Sequence, residues 1–269
     1  MSEESFSISI VLPTLNEADN LIVLIPDIIN TLKLINITDY EITVVDDNST
    51  DKTKEVMSDF MDGNSQINFI TRKSTPSLPM SIWDGIENSK YPHVMWLDAD
   101  GSMSGVSIIK ILEQVIKNKN SVVVGSRFVE GGGYKGTLLN EKNNFIRALF
   151  NVQKSKDSVI AMVLSWLFNK TLSFISESNV KDMTSGFIVG KKEYFLKNIF
   201  NKSVYGEYFV YLMNYFYKKD IQVIEVGYVC GTRLNGISKT GNSILQLIKL
   251  GFPYIKAAKI SSKIDYENL

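Results

Sequence analysis

Short apolar runs alternate with helical segments from residue 6 to residue 124, and this alternation constrains the fold more than any other feature. Helix-like segments at 17–34, 51–61, 78–88 and 104–117, the first with Asn16 as its expected N-cap, separate predicted strands at 6–12, 41–45, 67–70, 93–97 and 122–124. Strands and helices that take turns in this way are typical of an α/β fold, with a mostly parallel sheet flanked by helices. Ligands of such sheets bind beyond the carboxyl ends of the strands. The polar residues that follow each strand are therefore the first candidates for a functional site.

The second half of the chain has a different pattern. Residues 130–157 are rich in Gly, Asn and Lys and are too long for an ordinary connection, which indicates a functional loop. Further helices are predicted at 158–175, 206–218 and 244–255, the last broken at Pro253, and further strands at 186–190 and 221–229. No repeat or linker is evident. The simplest division is one domain over residues 1–240, followed by a C-terminal amphipathic helical tail over 241–269.

Composition excludes several classes of protein. The 269 residues carry 29 basic and 29 acidic side chains, so no net charge attracts nucleic acid. One cysteine, Cys230, and one histidine, His93, exclude an internal disulfide and a structural zinc site, and His93 is expected to be structural because it opens the fourth strand. The N-terminus lacks a signal-peptide pattern, and no apolar run reaches the roughly 18 residues of a membrane-spanning helix. The chain is therefore expected to be cytoplasmic, with any membrane contact made by 159–168 and 244–255.

Acidic residues follow three of the predicted strands. Glu17 follows the first strand, residues 46–51 follow the second with five acidic or hydroxyl side chains among them, and Asp98 and Asp100 follow the fourth. Carboxylates gathered at one sheet edge repel one another unless a positive group lies between them. A hard divalent cation, Mg²⁺ or Mn²⁺, suits oxygen ligands of this kind, and the spacing of Asp98 and Asp100 puts both on one side if the strand continues. The alternative, that residues 47–51 cap a turn and the next helix, stays open.

Basic residues occur at two other places along the chain. Of the four arginines, Arg127 follows the fifth strand, and Arg233 lies in a polar loop with Lys239. A guanidinium group binds phosphate through paired hydrogen bonds, and lysine adds a point charge. A surface ion pair for Arg127 and a solvated turn for the loop are the alternatives. Together with a metal, these residues indicate a site for several phosphates.

Six segments carry a family resemblance, and in chain order they are VLPTLNEADN (11–20), VVDDNSTD (44–51), LDADGS (97–102), GSRFVEGG (125–132), VKDMTSGF (180–187) and RLNGISK (233–239). The chain resembles glycosyltransferases of family 2, which have the GT-A (Rossmann-like) fold, and among them the dolichyl-phosphate mannose synthases. The resemblance implies that residues 1–240 form a glycosyltransferase catalytic domain.

The resemblance also implies a role for residues in each segment. The nucleotide sugar is expected to contact Pro13, Leu15, Glu17, Val45, Asp47, Asp98, Ala99, Asp100, Ser102, Arg127, Arg233 and Lys239. The metal is expected to be held by Asp98, Asp100 and Ser102, and the acceptor side to be shaped by Asp182, Ser185 and Gly186. The residues implied in catalysis are Asp100, Arg127, Arg233 and Lys239.

The implied reaction is the inverting transfer of a hexose, with mannose from GDP-mannose as the first expectation, to a polyprenyl or dolichyl phosphate. It would use Mg²⁺ or Mn²⁺ at the cytoplasmic face of a membrane, with a membrane-anchored subunit as a further expected partner. A phosphate acceptor is largely dianionic at neutral pH, since its second pKa is about 6, and therefore needs no general base. The alternatives are a UDP-sugar donor such as UDP-glucose, a saccharide hydroxyl acceptor with Asp182 as base, and a nucleotide-sugar-binding protein without turnover.

The chain departs from the family pattern at three places. Leu15 stands where relatives carry an aromatic residue, and residues 74–79 include two prolines where relatives have a Gly-rich helix start. Ala161 lies near the place of a second phosphate-binding arginine in relatives. The candidates to replace that arginine are Arg147, Lys154 and Lys156.

Overall fold

The computed structural model describes residues 6–134, 137–138, 156–231 and 244–266. The strands are β1 Ile8–Thr14, β2 Tyr40–Asp46, β3 Ile67–Thr71, β4 His93–Trp96, β5 Val122–Ser126, β6 Gly133–Tyr134, β7 Thr137–Leu138, β8 Ile188–Lys191, β9 Val223–Gly227 and β10 Val229–Cys230. Seven of them form one sheet in the order β3-β2-β1-β4-β8-β5-β9, and β10, β6 and β7 form a small second sheet. In the large sheet β8 runs antiparallel to both of its neighbours, while the other pairs are parallel. The predicted α/β fold with a mostly parallel sheet is confirmed.

Helices cover both faces of the large sheet. They are α1 Ala18–Leu34, α2 Thr53–Met61, α3 Leu78–Glu87, α4 Gly105–Lys117, α5 Lys156–Ile175, α6 Lys197–Asn201, α7 Tyr208–Lys218 and α8 Ile244–Ser261, with a 3₁₀ turn at Lys192–Tyr194. One apolar cluster joins the sheet to α1, α2 and α4, and a second joins it to α3 and α5–α8. Because both faces are covered, every residue of β1 is buried, which explains why this strand reads as a nearly continuous apolar run.

The start of α1 differs from the prediction. Asn16 is not the N-cap, because the helix begins after Glu17 and Asn16 adopts a left-handed backbone with φ of 58°. Its side-chain oxygen accepts a hydrogen bond from the amide of Thr50 at 2.8 Å, and its own amide donates to Ser49 Oγ at 2.7 Å. Asn16 therefore ties the loop after β1 to the loop after β2, which are neighbours in the sheet.

The C-terminal helix also differs from the prediction. The expected break at Pro253 is wrong, since α8 continues through Pro253 to Ser261. A proline removes one helical hydrogen bond, and packing of the rest of the helix compensates for that loss. Here α8 packs on α5 and α7, with Ala257 and Ala258 buried and the rings of Phe168 and Tyr254 5.9 Å apart. The division at residue 240 stays a prediction, and among the described helices none is long and apolar enough to cross a bilayer.

Candidate active site

The carboxyl ends of β1 and β2 form one continuous edge. Pro13 pairs with Val45 and Thr14 with Asp46, and the amide of Asp47 donates to the Thr14 carbonyl at 2.8 Å. Pairing between β1 and β4 ends earlier, at Val11. Proline has no amide hydrogen, so its place beyond the last β4 pair costs that ladder nothing. β1 and β4 therefore separate beyond Val11, and the predicted nucleotide-binding residues Pro13 and Val45 lie past that point.

Two aspartates, one at the end of β2 and one in the loop that follows, stabilise this loop and the starts of two helices. The Asp46 carboxylate accepts a hydrogen bond from the Ser49 amide at 3.1 Å, and Asp51 accepts from the amides of Ala18 and Thr53, each at 3.0 Å. Burial acts to raise the pKa of Asp51, but hydrogen bonds from Thr53 and Ala18 outweigh it and lower the pKa. Asp51 thus serves the first turns of both α1 and α2, as the capping alternative anticipated.

Asp47 is held by an arginine to which the sequence analysis gave no role. The buried Asp47 carboxylate accepts hydrogen bonds from Arg72 Nη1 and from the Ser77 amide. Arg72 Nε donates to Asp84 at 2.8 Å. Arg72 is therefore a positive group between Asp47 after β2 and Asp84 of α3, so the charge of Asp47 does not itself call for a metal. Because Arg72 directly follows β3, the same strand-end reasoning could have found it.

The loop after β4 carries the two aspartates predicted to bind metal. The strand ends at Trp96, so Asp98 and Asp100 do not share one side of a continuing strand, contrary to the spacing argument. Asp98 is half-buried, and the buried Asp100 accepts a hydrogen bond from the Ser102 amide at 3.0 Å. The Gly231 amide in turn donates to the Ser102 carbonyl at 2.9 Å. The end of β10 is therefore attached to this loop.

Arg127 forms a buried ion pair with Asp182. Its backbone amide and Nε donate to Asp182 Oδ2 at 2.9 and 2.8 Å, and its Nη2 donates to Asp182 Oδ1 at 2.7 Å. The Asp182 side chain is fully buried and that of Arg127 is 12% exposed. Burial acts to lower the pKa of Arg127, but the charge and hydrogen bonds of Asp182 more than offset this and raise it. The surface-pair alternative for Arg127 is therefore wrong, because the pair is buried.

The charges of Arg127 and of the acidic loop after β4 both act on the thiol of Cys230. Burial raises the pKa of Cys230, while Arg127 lowers it and Asp100 and Asp98 raise it. Hydrogen bonds link the segments on either side of this half-buried thiol, since the Gly231 amide donates to the Ser102 carbonyl at 2.9 Å and the Tyr228 amide donates to the Ser126 carbonyl at 3.1 Å. Residues 228–231 therefore join the loop after β4, which carries Asp98 and Asp100, to the end of β5, which Arg127 follows.

The charge of Asp98 acts on two tyrosines that the sequence analysis did not place in the site. Trp96 Nε1 donates to the Tyr208 hydroxyl at 3.1 Å, and burial followed by the charge of Asp98 raises the pKa of Tyr208. Tyr254 of α8 covers Gly206 so closely that a Cβ there would overlap the phenol oxygen. Burial raises the pKa of Tyr254, and the charges of Asp98 and Arg127 also act on it. No local sequence signal identifies Tyr254, because only the packing of α8 brings it against Gly206.

The remaining predicted site residues have varied surroundings. Ala99 is buried, Leu15 and Glu17 are half-buried near the start of α1, and the hydroxyl of buried Ser185 accepts a hydrogen bond from the Phe187 amide at 3.3 Å. Gly186 has a φ of 69°, a backbone that favours glycine. Outside the described residues lie Arg233, Lys239, Arg147 and Lys154, and the side chain of Lys156 is not described either.

The donor set suits a metal that is completed by its substrate. Within the described ranges, no group of three or more His, Cys, Asp or Glu side chains forms a metal site. Asp98 and Asp100 offer two carboxylates, and Mg²⁺ is commonly bound by one or two carboxylates together with substrate phosphates and water. The residues present therefore fit a divalent cation that arrives with a diphosphate.

The mostly parallel, mixed sheet of seven strands flanked by helices has the GT-A fold. Glucosyl-3-phosphoglycerate synthase from Mycobacterium tuberculosis, solved with Mg²⁺ and UDP, shares the fold with a TM-score of 0.62 and 15% identity over 96% of this chain and 80% of that one. The same enzyme solved with Mn²⁺, UDP and glucosyl-3-phosphoglycerate gives a TM-score of 0.61 and 16% identity over 96% and 81%. At such identities the likeness shows the fold alone.

The chain belongs to glycosyl transferase family 2, whose sequence pattern it matches over residues 9–198. Dolichol-phosphate mannosyltransferase from Pyrococcus furiosus is 28% identical over 90% of this chain and 62% of that relative. Dolichyl-phosphate beta-glucosyltransferase ALG5A from Trichomonas vaginalis is 30% identical over 46% of this chain and 41% of that relative. The chain thus spans less than two thirds of the length of these curated relatives.

Proposed function

We propose that this protein transfers one hexose from a nucleotide sugar to a polyprenyl or dolichyl phosphate with inversion, and that the donor is GDP-mannose. The observation that carries the proposal is that residues 228–231 join the loop of Asp98 and Asp100 to the end of β5 beside Arg127, through hydrogen bonds to the Ser102 and Ser126 carbonyls. Carboxylates for a metal and a guanidinium for phosphate are what a sugar diphosphate requires. The relative named dolichol-phosphate mannosyltransferase, which aligns with 90% of the chain, supports the choice of mannose as the sugar and of a dolichyl phosphate as the acceptor.

The donor side is formed by the strand ends. Pro13, Leu15, Glu17, Val45 and Asp47 lie at the ends of β1 and β2 and would surround the base and ribose, with Arg72 fixing the Asp47 carboxylate. Residues 98–102 would hold the diphosphate through Mg²⁺ or Mn²⁺, with Asp98, Asp100 and Ser102 as ligands. A bound divalent cation neutralises charge that develops on the leaving diphosphate.

The acceptor side needs orientation rather than a base. A phosphate dianion is itself the nucleophile, so the protein has only to place it and screen its charge. The Asp182 carboxylate is fully buried and engaged by Arg127, which supports an orienting role for Asp182 and disfavours its use as a base toward a saccharide hydroxyl. Ser185 and Gly186, which follow Asp182 in the chain, would then shape the acceptor side.

Arg233 and Lys239 complete the proposed phosphate site. Arg233 follows Gly231 by two residues, and Gly231 is attached to the carbonyl of Ser102 in the acidic loop. We expect Arg233→Ala and Lys239→Ala to reduce turnover more than affinity for GDP. An equal loss of affinity and rate would instead restrict both residues to nucleotide binding.

The lipid acceptor places the reaction at a membrane surface, which we propose is the cytoplasmic face. Leu164 and Leu167 on α5 and Phe252 on α8 are exposed apolar side chains on two helices that pack together, which supports peripheral contact with lipid. A membrane-anchored partner subunit stays a prediction.

UDP-glucose is the second candidate donor. The glucosyltransferase relative favours glucose, and the structural neighbour was solved with UDP. The deciding experiment incubates the protein with Mg²⁺, a polyprenyl phosphate in detergent, and GDP-mannose, UDP-glucose or UDP-N-acetylglucosamine in turn. Lipid-linked hexose formed only from GDP-mannose supports the proposal, and product only from UDP-glucose supports the second candidate. Transfer to soluble saccharides alone, or donor binding without any product, would contradict both.

A further inference from the structure

Arg127 has a limited set of hydrogen-bond donors left for a ligand. A guanidinium carries five N–H groups in a fixed planar fork. Nε uses its single hydrogen on Asp182, and Nη2 uses its two hydrogens on Asp182 Oδ1 at 2.7 Å and Thr184 Oγ1 at 2.8 Å. No described residue accepts a hydrogen bond from Nη1. A phosphate that binds Arg127 in this arrangement therefore meets the two hydrogens of Nη1.

Thr184 is itself held by a residue of α5. Its hydroxyl lies 3.2 Å from Asn169 Oδ1, to which it donates, while Asn169 Nδ2 donates to the Ser165 carbonyl at 2.9 Å. Asn169 Nδ2 also lies 3.1 Å from the Thr184 hydroxyl, and the Asn169 side chain is buried. The bond to the helix backbone fixes the amide of Asn169. The amide in turn fixes the hydroxyl that accepts from Arg127.

We propose that Thr184 and Asn169 are positioning residues, which hold the Arg127 guanidinium so that only its Nη1 edge is offered to a substrate phosphate. The inference rests on the proposed function in one respect, that Arg127 binds a phosphate. Asp182 neutralises the buried charge, and Thr184 takes the one Nη2 hydrogen that Asp182 leaves over. Without this hydroxyl that hydrogen competes for the ligand, and the phosphate loses a single defined position.

Substitution of Thr184 separates positioning from folding. Thr184→Val removes the hydroxyl while keeping the side-chain shape, and Thr184→Ser keeps the hydroxyl. A hydrogen bond to a charged group supports about a tenfold effect, so kcat/KM for sugar transfer should fall by about tenfold in Thr184→Val and by less than threefold in Thr184→Ser. The kcat/KM of Asn169→Leu should lie between those of Thr184→Val and Thr184→Ser, because this change frees the Thr184 hydroxyl without removing it. Thr171→Val is the matched control, since that hydroxyl bonds only to its own helix at the Leu167 carbonyl, and its kcat/KM should not change.

A double-mutant cycle tests whether Thr184 acts through Arg127. If it does, Thr184→Val should add less than twofold to the loss caused by Arg127→Lys, because the fork that Thr184 orients is already absent. Independent losses that multiply in the double variant would overturn the inference. So would a Thr184→Val enzyme with wild-type kcat/KM, or a Thr184→Ser enzyme as impaired as Thr184→Val.

Binding measurements keep this test separate from the proposed function. The affinities of UDP, GDP and geranyl phosphate are measured by calorimetry in the presence of Mg²⁺ for each variant. If the wild type binds one of these phosphates, and Thr184→Val weakens it about tenfold while Thr184→Ser does not, the positioning role stands even where no lipid-linked sugar forms. In that case the proposed function alone fails. Unchanged affinities together with unchanged kinetics would remove the positioning role and leave the proposed function intact. A wild type that binds none of the three would remove both.

Discussion

Replacing Asp182 by asparagine should lower the free energy of unfolding by about 3–5 kcal/mol, because it leaves the Arg127 charge buried without a counter-ion. With charge centres about 4 Å apart and an effective dielectric constant of about 20, the Coulomb energy of the pair is about 4 kcal/mol, in agreement with that range. Asparagine keeps the size of the side chain. Its NH₂ group, however, faces Arg127 Nη2 or Nε, which donates a hydrogen bond to the carboxylate at 2.7–2.8 Å in the wild type, so two donors would face each other.

Urea unfolding followed by circular dichroism measures this effect. For an m-value of about 3 kcal/mol per molar urea, the midpoint should fall by roughly 1–1.7 M. Asp59→Asn, an exposed change on α2, serves as the control and should stay within about 0.5 kcal/mol of the wild type. The double variant Arg127→Met/Asp182→Leu should recover most of the loss, because it leaves no buried charge unpaired.

Two results would refute this reasoning. One is an Asp182→Asn protein with the wild-type urea midpoint. The other is an Arg127→Met/Asp182→Leu protein whose destabilisation equals the sum of those caused by Arg127→Met and Asp182→Leu alone. A stable Asp182→Asn protein that had lost turnover at every pH and had used soluble saccharides before the change would point to Asp182 as a general base.

Three further predictions concern other parts of the molecule. Asp100→Ala should weaken Mg²⁺-dependent donor binding at least tenfold in calorimetry, and unchanged binding, with or without EDTA, would contradict the metal assignment. Burial lowers the pKa of His93 in the folded protein, so below about pH 6.5 the unfolded chain binds the proton more readily and the free energy of unfolding falls as the pH falls. Between pH 7 and 5.5 the wild type should therefore lose more stability than His93→Leu. Equal losses in the two proteins would argue against this. Gly227→Ala should destabilise by more than about 2 kcal/mol, since its Cβ would overlap the Glu130 carbonyl, and a near-neutral melting shift would count against the packing shown.

The fold could be read from sequence because its signals are local. The predicted strands and helices of the first half match the observed ones to within a few residues, since burial of a strand on both faces and of a helix on one face leaves a direct pattern of apolar side chains. The direction of β8 carries no such signal. An antiparallel strand between β4 and β5 depends on where the chain returns to the sheet, and residues 186–190 alone do not record that.

The site could be predicted only in part. Acidic residues at strand ends drew attention to Asp98 and Asp100, whose role stays a prediction, and equally to Asp46 and Asp51, which the structure shows accepting hydrogen bonds from loop amides. The difference depends on which donors lie within reach, and hydrogen-bond partners are set by loop geometry rather than by residue type.

The sequence by itself determined the alternating α/β order, the sheet edge at which polar groups collect, and the family. Those properties follow from residue type and near-neighbour spacing. Only the tertiary structure decided which charges neutralise each other: Arg72 pairs with Asp47 across 25 positions, and Arg127 pairs with Asp182 across 55. Electrostatic and packing energies depend on the distance between groups in space, and the number of residues between two groups along the chain does not determine that distance.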